Sequence, residues 1–191
     1  MEQLTIGFAM CGSFCTFAQA LPALERLTEQ YRVLPILSET AAGTDTRFGS
    51  HEEHMARIVS ATGREPILTI AQAEPIGPQK LLDVLVVAPC TGNTLAKLAN
   101  GITDSVVTMA CKAHLRNGRP LVLALATNDG LGANAQNIGQ LLTRRNVYFV
   151  PFGQDDPYKK QTSLVADFDR IEDTLKMALA GEQIQPILLR T

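Results

Sequence analysis

The residues with the most chemical potential stand together at 88–94, Ala-Pro-Cys-Thr-Gly-Asn-Thr, directly behind the apolar run Val84-Leu85-Val86-Val87. A strand-to-helix connection needs one capping side chain, yet this one holds Thr91, Asn93 and Thr94, with Gly92 among them. Threonine hydroxyls can donate to a phosphate or cap the following helix. Asn93 offers an acceptor and donors that suit a planar heterocycle or a carboxylate. Pro89 is expected to end the strand and Gly92 to let backbone approach a ligand closely. A purely local reading stands beside this one, with Thr91 as the N-cap and Asn93 as a brace for the turn.

A second group follows the first apolar run, in Met10-Cys11-Gly12-Ser13-Phe14. It is not a G-x-G-x-x-G fingerprint. Gly7 and Gly12 have P-loop spacing, but Ser13 follows Gly12 with no lysine before it. A glycine and a hydroxyl opening a helix suit one phosphate monoester and are poor for a pyrophosphate; capping by Ser13 or Thr16 accounts for them equally well. Asn128 and Asp129, behind another apolar run, either contact a substrate or form a turn before Gly130. Arg47 in "DTRFG" is the preferred anion binder, because a guanidinium grips a carboxylate bidentately. Asp155 and Asp156 before Pro157 suit a turn. Lys159 and Lys160 either meet a dicarboxylate or a partner, or are solvated. His51 and His54 read as a solvated first helical turn. His114 lies near a helix C-terminus, where the dipole favours its protonated form. The four cysteines, Cys11, Cys15, Cys90 and Cys111, match no zinc or C-x-x-C spacing. They read as small buried residues, with Cys11 and Cys15 on one helix face, and no metal site is expected.

Positioning these groups requires alternating strands and helices. Strand patterns run over 4–10, 32–38, 66–70, 83–89, 120–127 and 147–152, and helical patterns over 16–30, 50–63, 92–100, 104–117, 134–145 and 163–181. Pro35 places the second strand at an edge or a bulge. Ser50 with Glu53 forms a capping box and Gly63 a stop. Continuous apolar strands between helices imply a mostly parallel sheet covered on both faces. With right-handed crossovers this is a doubly wound three-layer α/β/α chain, read as one domain over 1–191. Ligands then sit beyond the carboxyl ends of the strands, where the strand order switches. The tail 182–191 either packs on a neighbour or trails off. With 46% hydrophobic and 19% charged residues and a net charge of −2, there is no electrostatic footprint for nucleic acid or an anionic membrane. No apolar run approaches the ~20 residues of a span, so a soluble, cytoplasmic protein is expected. The low charge content suggests a surface partly covered by another subunit.

The segment "APCTGNTLAKLANGITDS" (88–105) resembles the FMN-binding flavoproteins that include phosphopantothenoylcysteine decarboxylase, the lantibiotic cysteine decarboxylases and the flavin prenyltransferases. Their segment reads P-A-S-A-N-T, then Ala-Lys, Gly and Asp. Within that family, "DTRFG" (45–49), "EPIGP" (74–78), "TNDGLGANAQNIGQLL" (127–142) and "VYFVPFGQDDPYKKQTSLVADF" (147–168) resemble the branch of dipicolinate synthase B subunits. The resemblance implies a flavodoxin-like, Rossmann-like fold and a homo-oligomer, trimeric or higher, with FMN at the subunit interface. It implies an oxidoreductase of sporulating cells whose separate A subunit carries the NAD(P) site and whose product is the small dicarboxylic acid dipicolinate. Gly12, Ser13, Phe14, Ser38 and Thr40 would hold the FMN phosphate and ribityl chain. Pro89, Thr91, Asn93 and Thr94 would line the ring or substrate side, with Asn93 as the catalytic candidate. Arg47, Asn128 and Asp129 remain for the substrate. The chain departs from the decarboxylases in lacking their histidine before the flavin strand, where "AEPIGPQKLLD" stands, and in lacking their P-x-M-N-x-x-M clamp. Cys90 and Gly92 replace family alanines. The alternatives are a stand-alone FMN decarboxylase and a non-catalytic stabilising partner.

Overall fold

The computed structural model describes residues 3–189. Five apolar runs form its frame: β1 (Thr5–Met10), β2 (Arg32–Leu37), β3 (Val84–Cys90), β4 (Leu121–Thr127) and β5 (Val147–Phe149). They pair in parallel in the order β2-β1-β3-β4-β5. All seven residues of β3 and six of the seven in β4 are buried, as strands covered on both faces must be. The helices are α1 (Phe17–Thr28), α2 (Glu39–Gly43), α3 (His51–Thr62), α4 (Ile70–Ala73), α5 (Gly92–Ala99), α6 (Val106–Leu115), α7 (Ala135–Leu142) and α8 (Ile171–Leu179). This is the expected doubly wound, flavodoxin-like α/β/α arrangement. Its strand order switches at β1, which has β2 on one side and β3 on the other.

Local chemistry explains the boundaries. In α1, Phe17, Leu21, Leu24 and Leu27 form one buried stripe. Ser50 and Glu53 close a full capping box on α3, and Gly63 ends the helix at φ 63°. Pro35 lies in the edge strand β2, and its carbonyl faces outward, accepting from Ile67 N at 2.9 Å. The missing N–H points to that same outer side and costs no bond to β1.

Several expectations are overturned. Residues 66–70 form no strand: Ile67 makes one bridge to Ile36, and Thr69 caps α4 in a box with Gln72. Pro89 does not end β3, which continues to Cys90. The strand expected over 147–152 stops at Phe149, and the first residues of the helix expected over 163–181, 163–166, belong instead to an antiparallel hairpin. That hairpin is β6 (Phe152–Asp156) and β7 (Lys160–Ala166). The reason lies in β4. Short β5 pairs only with Leu121–Leu123, which would leave the upper end of β4 with unpaired backbone. β7 fills it, through Ala126↔Val165 and Thr127↔Leu164. The helix α8 starts only at Ile171 and ends before Gly181. The tail packs on its own chain, with Phe152 N donating to Ile187 O and Leu189 N to Phe152 O; residues 190 and 191 of the tail lie outside the described residues.

The histidines are corrected too. His114 is fully buried, and its Nε2 lies 2.9 Å from Pro120 O, where it donates. Desolvation outweighs that bond and pushes its pKa down to about 4, so the ring is neutral. His54 is buried and packs edge-on against Phe17. His51 remains at the surface with Asp45, 2.7 Å away. Cys11 and Cys15 share no helix face: Cys11 is buried in the turn after β1, and Cys15 is exposed in the 3-10 turn Phe14–Thr16.

Candidate functional site

Beside the strand-order switch, the connections after β1, β2 and β3 converge on a crevice of about 330 Å³. The N-cap residues of α2, α5 and α6, namely Ser38, Thr91 and Ser105, all line it. Each hydroxyl accepts from its own helix: Ser38 Oγ from Ala41 N at 3.2 Å, Thr91 Oγ1 from Thr94 N at 3.3 Å and Ser105 Oγ from Thr108 N at 3.2 Å. The capping reading of Thr91 is therefore realised, and it coexists with a place in the crevice wall. The free first-turn amides of α5 and α6 lie at the same opening.

The walls are tied to one another. Cys11 N donates to Pro89 O at 3.2 Å, and Ser38 N donates to Met10 O at 3.0 Å. Thr91 Oγ1 donates to Thr94 Oγ1 at 3.1 Å, which donates in turn to Cys11 Sγ at 3.2 Å. Burial pushes the Cys11 thiol up to about 11, against the opposing hydrogen bond from Thr94, so it is an uncharged wall group. A Cβ on Gly12 would fall 2.8 Å from Thr40 Cγ2, so only glycine lets the β1 turn close on α2. Lys97 is the one cation in the lining, and it is held by Asp104 at 2.8 Å. That bond holds the Asp104 carboxyl below its usual range. Glu39 is the other acid. A phosphate here would rest on amides and hydroxyls rather than on a free cation, and this donor set fits the monophosphate and polyol of FMN.

Of the residues singled out in the sequence, Gly12, Ser38, Thr40, Thr91, Asn93 and Thr94 come together in this crevice. Ser13 faces a neighbouring hollow instead. Phe14 and Pro89 line neither: Phe14 packs at a tilt against Phe17, ring centroids 5.1 Å apart, and buried Pro89 offers its carbonyl to Cys11. Gly92 has a role other than the expected close approach to a ligand. The space beside it is taken by the chain's own Thr127 and Asn134, whose side-chain atoms lie 2.5 and 2.6 Å from the position of a Cβ. Sequence reasoning misses Lys97, Asp104 and Ser105. The S-x-x-T cap spacing is a signal for Ser105, and the places of the other two in the 88–105 motif are a signal for them.

The neighbouring hollow, about 210 Å³, lies between the β1 turn, the end of β4 and the β6–β7 hairpin. Ser13, Gln19, Thr127, Asn128, Asp155 and Lys160 line it. Asn128 thus reaches a hollow, but Asp129 turns inward, accepting from Asn134 Nδ2 at 3.0 Å. Arg47 lines neither hollow; it is exposed over the Phe48 ring, 4.8 Å from its centroid. A larger hollow of about 380 Å³ lies on the helical flank, between α5, α6 and Arg144, away from the strand ends where the chain places its hydroxyls. No histidine lines the two hollows at the sheet edge. Among the described residues no group of side chains is arranged to hold a metal ion, and no helix is long and apolar enough to cross a membrane.

Comparison with known proteins bears on the family and the fold. The family model described as Flavoprotein matches residues 1–179. The chain is 47% identical over 185 residues to the dipicolinate synthase B subunit of Bacillus subtilis (strain 168), covering 96% of this chain and 92% of that protein. The crystal structure of the dipicolinate synthase B subunit from Bacillus halodurans superposes with a TM-score of 0.89 at 45% identity, covering 98% of this chain and 97% of the other. The FMN-dependent cysteine decarboxylase SpaF shares the fold, with a TM-score of 0.69 at 22% identity over 93% of this chain and 96% of its own.

Proposed function

The chain belongs to the Flavoprotein family, and from that premise we propose that it is the B subunit of a dipicolinate synthase. It works with a separate, NAD(P)-dependent A subunit to form dipicolinate in the cytoplasm of the sporulating cell, as a homo-oligomer that binds FMN. The observation that carries this reading is the 47% identity to a dipicolinate synthase B subunit across nearly the whole chain. The crevice at the strand-order switch supports the cofactor. In this reading the first-turn amides of α5 and α6, with Ser38 and Thr40, hold the phosphate and ribityl chain, and Thr91, Asn93 and Thr94 face the ring. FMN, when bound, supplies a two-electron acceptor.

The chain's own residues orient and shield. Asn93, at the rim of the crevice, offers both a carbonyl and an amide to the reacting ring. Buried Cys11 gives the crevice an uncharged wall group. The absence of an imidazole from both hollows argues against the stand-alone cysteine decarboxylase reading, whose relatives place a histidine before the flavin strand.

The test is reconstitution. The chain is co-purified with an A subunit, and dipicolinate formation is assayed with each subunit omitted in turn. Loss of product when this chain is left out is expected; undiminished formation by the A subunit alone overturns the reading. Visible absorbance of the protein mixed with FMN tests the cofactor, and Asn93→Ala should weaken FMN or substrate binding while leaving the circular dichroism spectrum unchanged.

A further inference from the structure

Several hydrogen-bond donors lining the hollow under the hairpin are not fully used by acceptors among the described residues. Ser13 Oγ has only Cys15 Sγ nearby, at 3.8 Å. Thr127 Oγ1 accepts from Asp129 N at 3.4 Å and has its own hydrogen to give. Asn128 meets its neighbours through its two oxygens, leaving its amide N–H groups free, and Gln19 has no partner among the described residues. The single cation is Lys160, held by the single acid, Asp155, at 2.5 Å. An ammonium has three N–H donors, so one goes to Asp155 and two remain. The lining therefore presents an ammonium and several neutral donors, with its one carboxylate already engaged. That set is complementary to a small anion with several acceptor oxygens.

Size and place narrow the class. At about 210 Å³ the hollow is smaller than the ~300 Å³ lower bound of drug-sized pockets. It takes a single small ring, while the larger crevice next to it takes the mononucleotide. Consecutive residues of the β1 turn line the two, Gly12 the crevice and Ser13 the hollow.

We propose that this hollow is a carboxylate-recognition site in which Lys160, steered by Asp155, grips one carboxylate of a small ring dicarboxylate, while Ser13, Thr127 and Asn128 take its other oxygens. The dicarboxylate class rests on the dipicolinate reading above; the anion site rests on the donor set. Lys160 is a specificity residue and Asp155 a positioning residue. Asp155 occupies one ammonium hydrogen and aims the other two over the hollow, so its removal costs less than removal of the lysine.

The experiment is calorimetric titration of the full chain with dipicolinate and, as a monocarboxylate control, pyridine-2-carboxylate. Wild type should bind the dicarboxylate more tightly than the control. Lys160→Ala should weaken dipicolinate binding tenfold or more, Lys160→Arg less, and Asp155→Asn by a smaller factor than Lys160→Ala, all with FMN affinity unchanged. In the reconstituted assay Lys160→Ala should raise KM and leave kcat nearly unaltered. Equal dipicolinate affinity in wild type and Lys160→Ala, or no measurable binding by wild type, overturns the site. Its failure is separable from failure of the functional reading. Product formation with a KM indifferent to Lys160 removes the site alone, whereas Lys160-dependent binding without product formation alongside an A subunit removes the function alone.

Discussion

The crevice and the hairpin hollow sit side by side at one edge of the sheet, yet they are held by different kinds of structure. The crevice is cut into the ends of buried parallel strands. Its walls are locked by the Cys11–Pro89 and Ser38–Met10 backbone bonds and by side chains filling the space beside Gly12 and Gly92. The hollow is roofed by an arm that meets β4 through only two residue pairs, and its tip is held by the Asp156 turn and one partly exposed ion pair. The base of the arm is anchored in the core by Phe152, Leu164 and Ala166, whereas its exposed tip stands at the low end of local stability. On the proposed function, the contrast suits a division of labour in which a preorganised seat holds the cofactor and a separately adjustable cover recognises the substrate.

The largest effect that sharpens this contrast is a pH effect on the body alone. His114 has a pKa near 4 in the folded chain against 6.5 as its ordinary value. The unfolded chain therefore takes up a proton as pH falls through 6.5, and the folded chain does not until near 4. Stability from this group is complete above pH 6.5 and is lost on acidification down to about 4, by an amount on the order of 3 kcal/mol. Urea denaturation at a series of pH values should show that slope, and His114→Gln should flatten it.

Gly92→Ala should come next. A methyl there meets Thr127 Oγ1 and Asn134 Nδ2, and Asn134 cannot retreat freely because it is tied to Asp129 and Asn137, both at 3.0 Å. Overpacking of this kind costs about 1–3 kcal/mol. It also tilts the N-terminus of α5, so FMN affinity should fall along with stability. Lost stability with unaltered FMN affinity would separate the crevice from the body that is argued to hold it.

The same division marks what the sequence reveals. Buried strands and capped helices are legible because their signals are local: apolar runs for β1, β3 and β4, Ser50 with Glu53 for α3, and hydroxyls at strand ends for Ser38, Thr91 and Thr94 in the crevice. The arm is not. Leu164, Ala166 and Phe168 read as well in a helical stretch as in a strand, and what decides is the unpaired upper end of β4, far away in the chain. Gly92 and His114 mislead for the same reason. Their surroundings, Thr127 with Asn134 and the carbonyl of Pro120, are supplied by other connections. Ser13 is legible as a strand-end hydroxyl, but which of two adjoining hollows it faces depends on the hairpin.

The smaller effects belong to the arm. Asp156 Oδ1 accepts from Tyr158 N at 3.2 Å and from Lys159 N at 3.0 Å, closing the hairpin turn. Asp156→Ala removes both bonds at an exposed site and should cost about 1 kcal/mol, felt mainly as faster amide exchange in β6 and β7. FMN affinity and the global urea midpoint should barely move. A fall in the midpoint as large as that of Gly92→Ala would mean that arm and body unfold as one unit. At the tip, Tyr158 is 91% exposed, so Tyr158→Ala has almost no buried area to lose and should stay within about 0.5 kcal/mol of wild type. Its value lies in that smallness. The substitution leaves the turn bonds and the Lys160–Asp155 pair in place, so dipicolinate affinity should also hold. A large loss of affinity from this change would move the recognition element from the roof of the hollow to the tip of the arm.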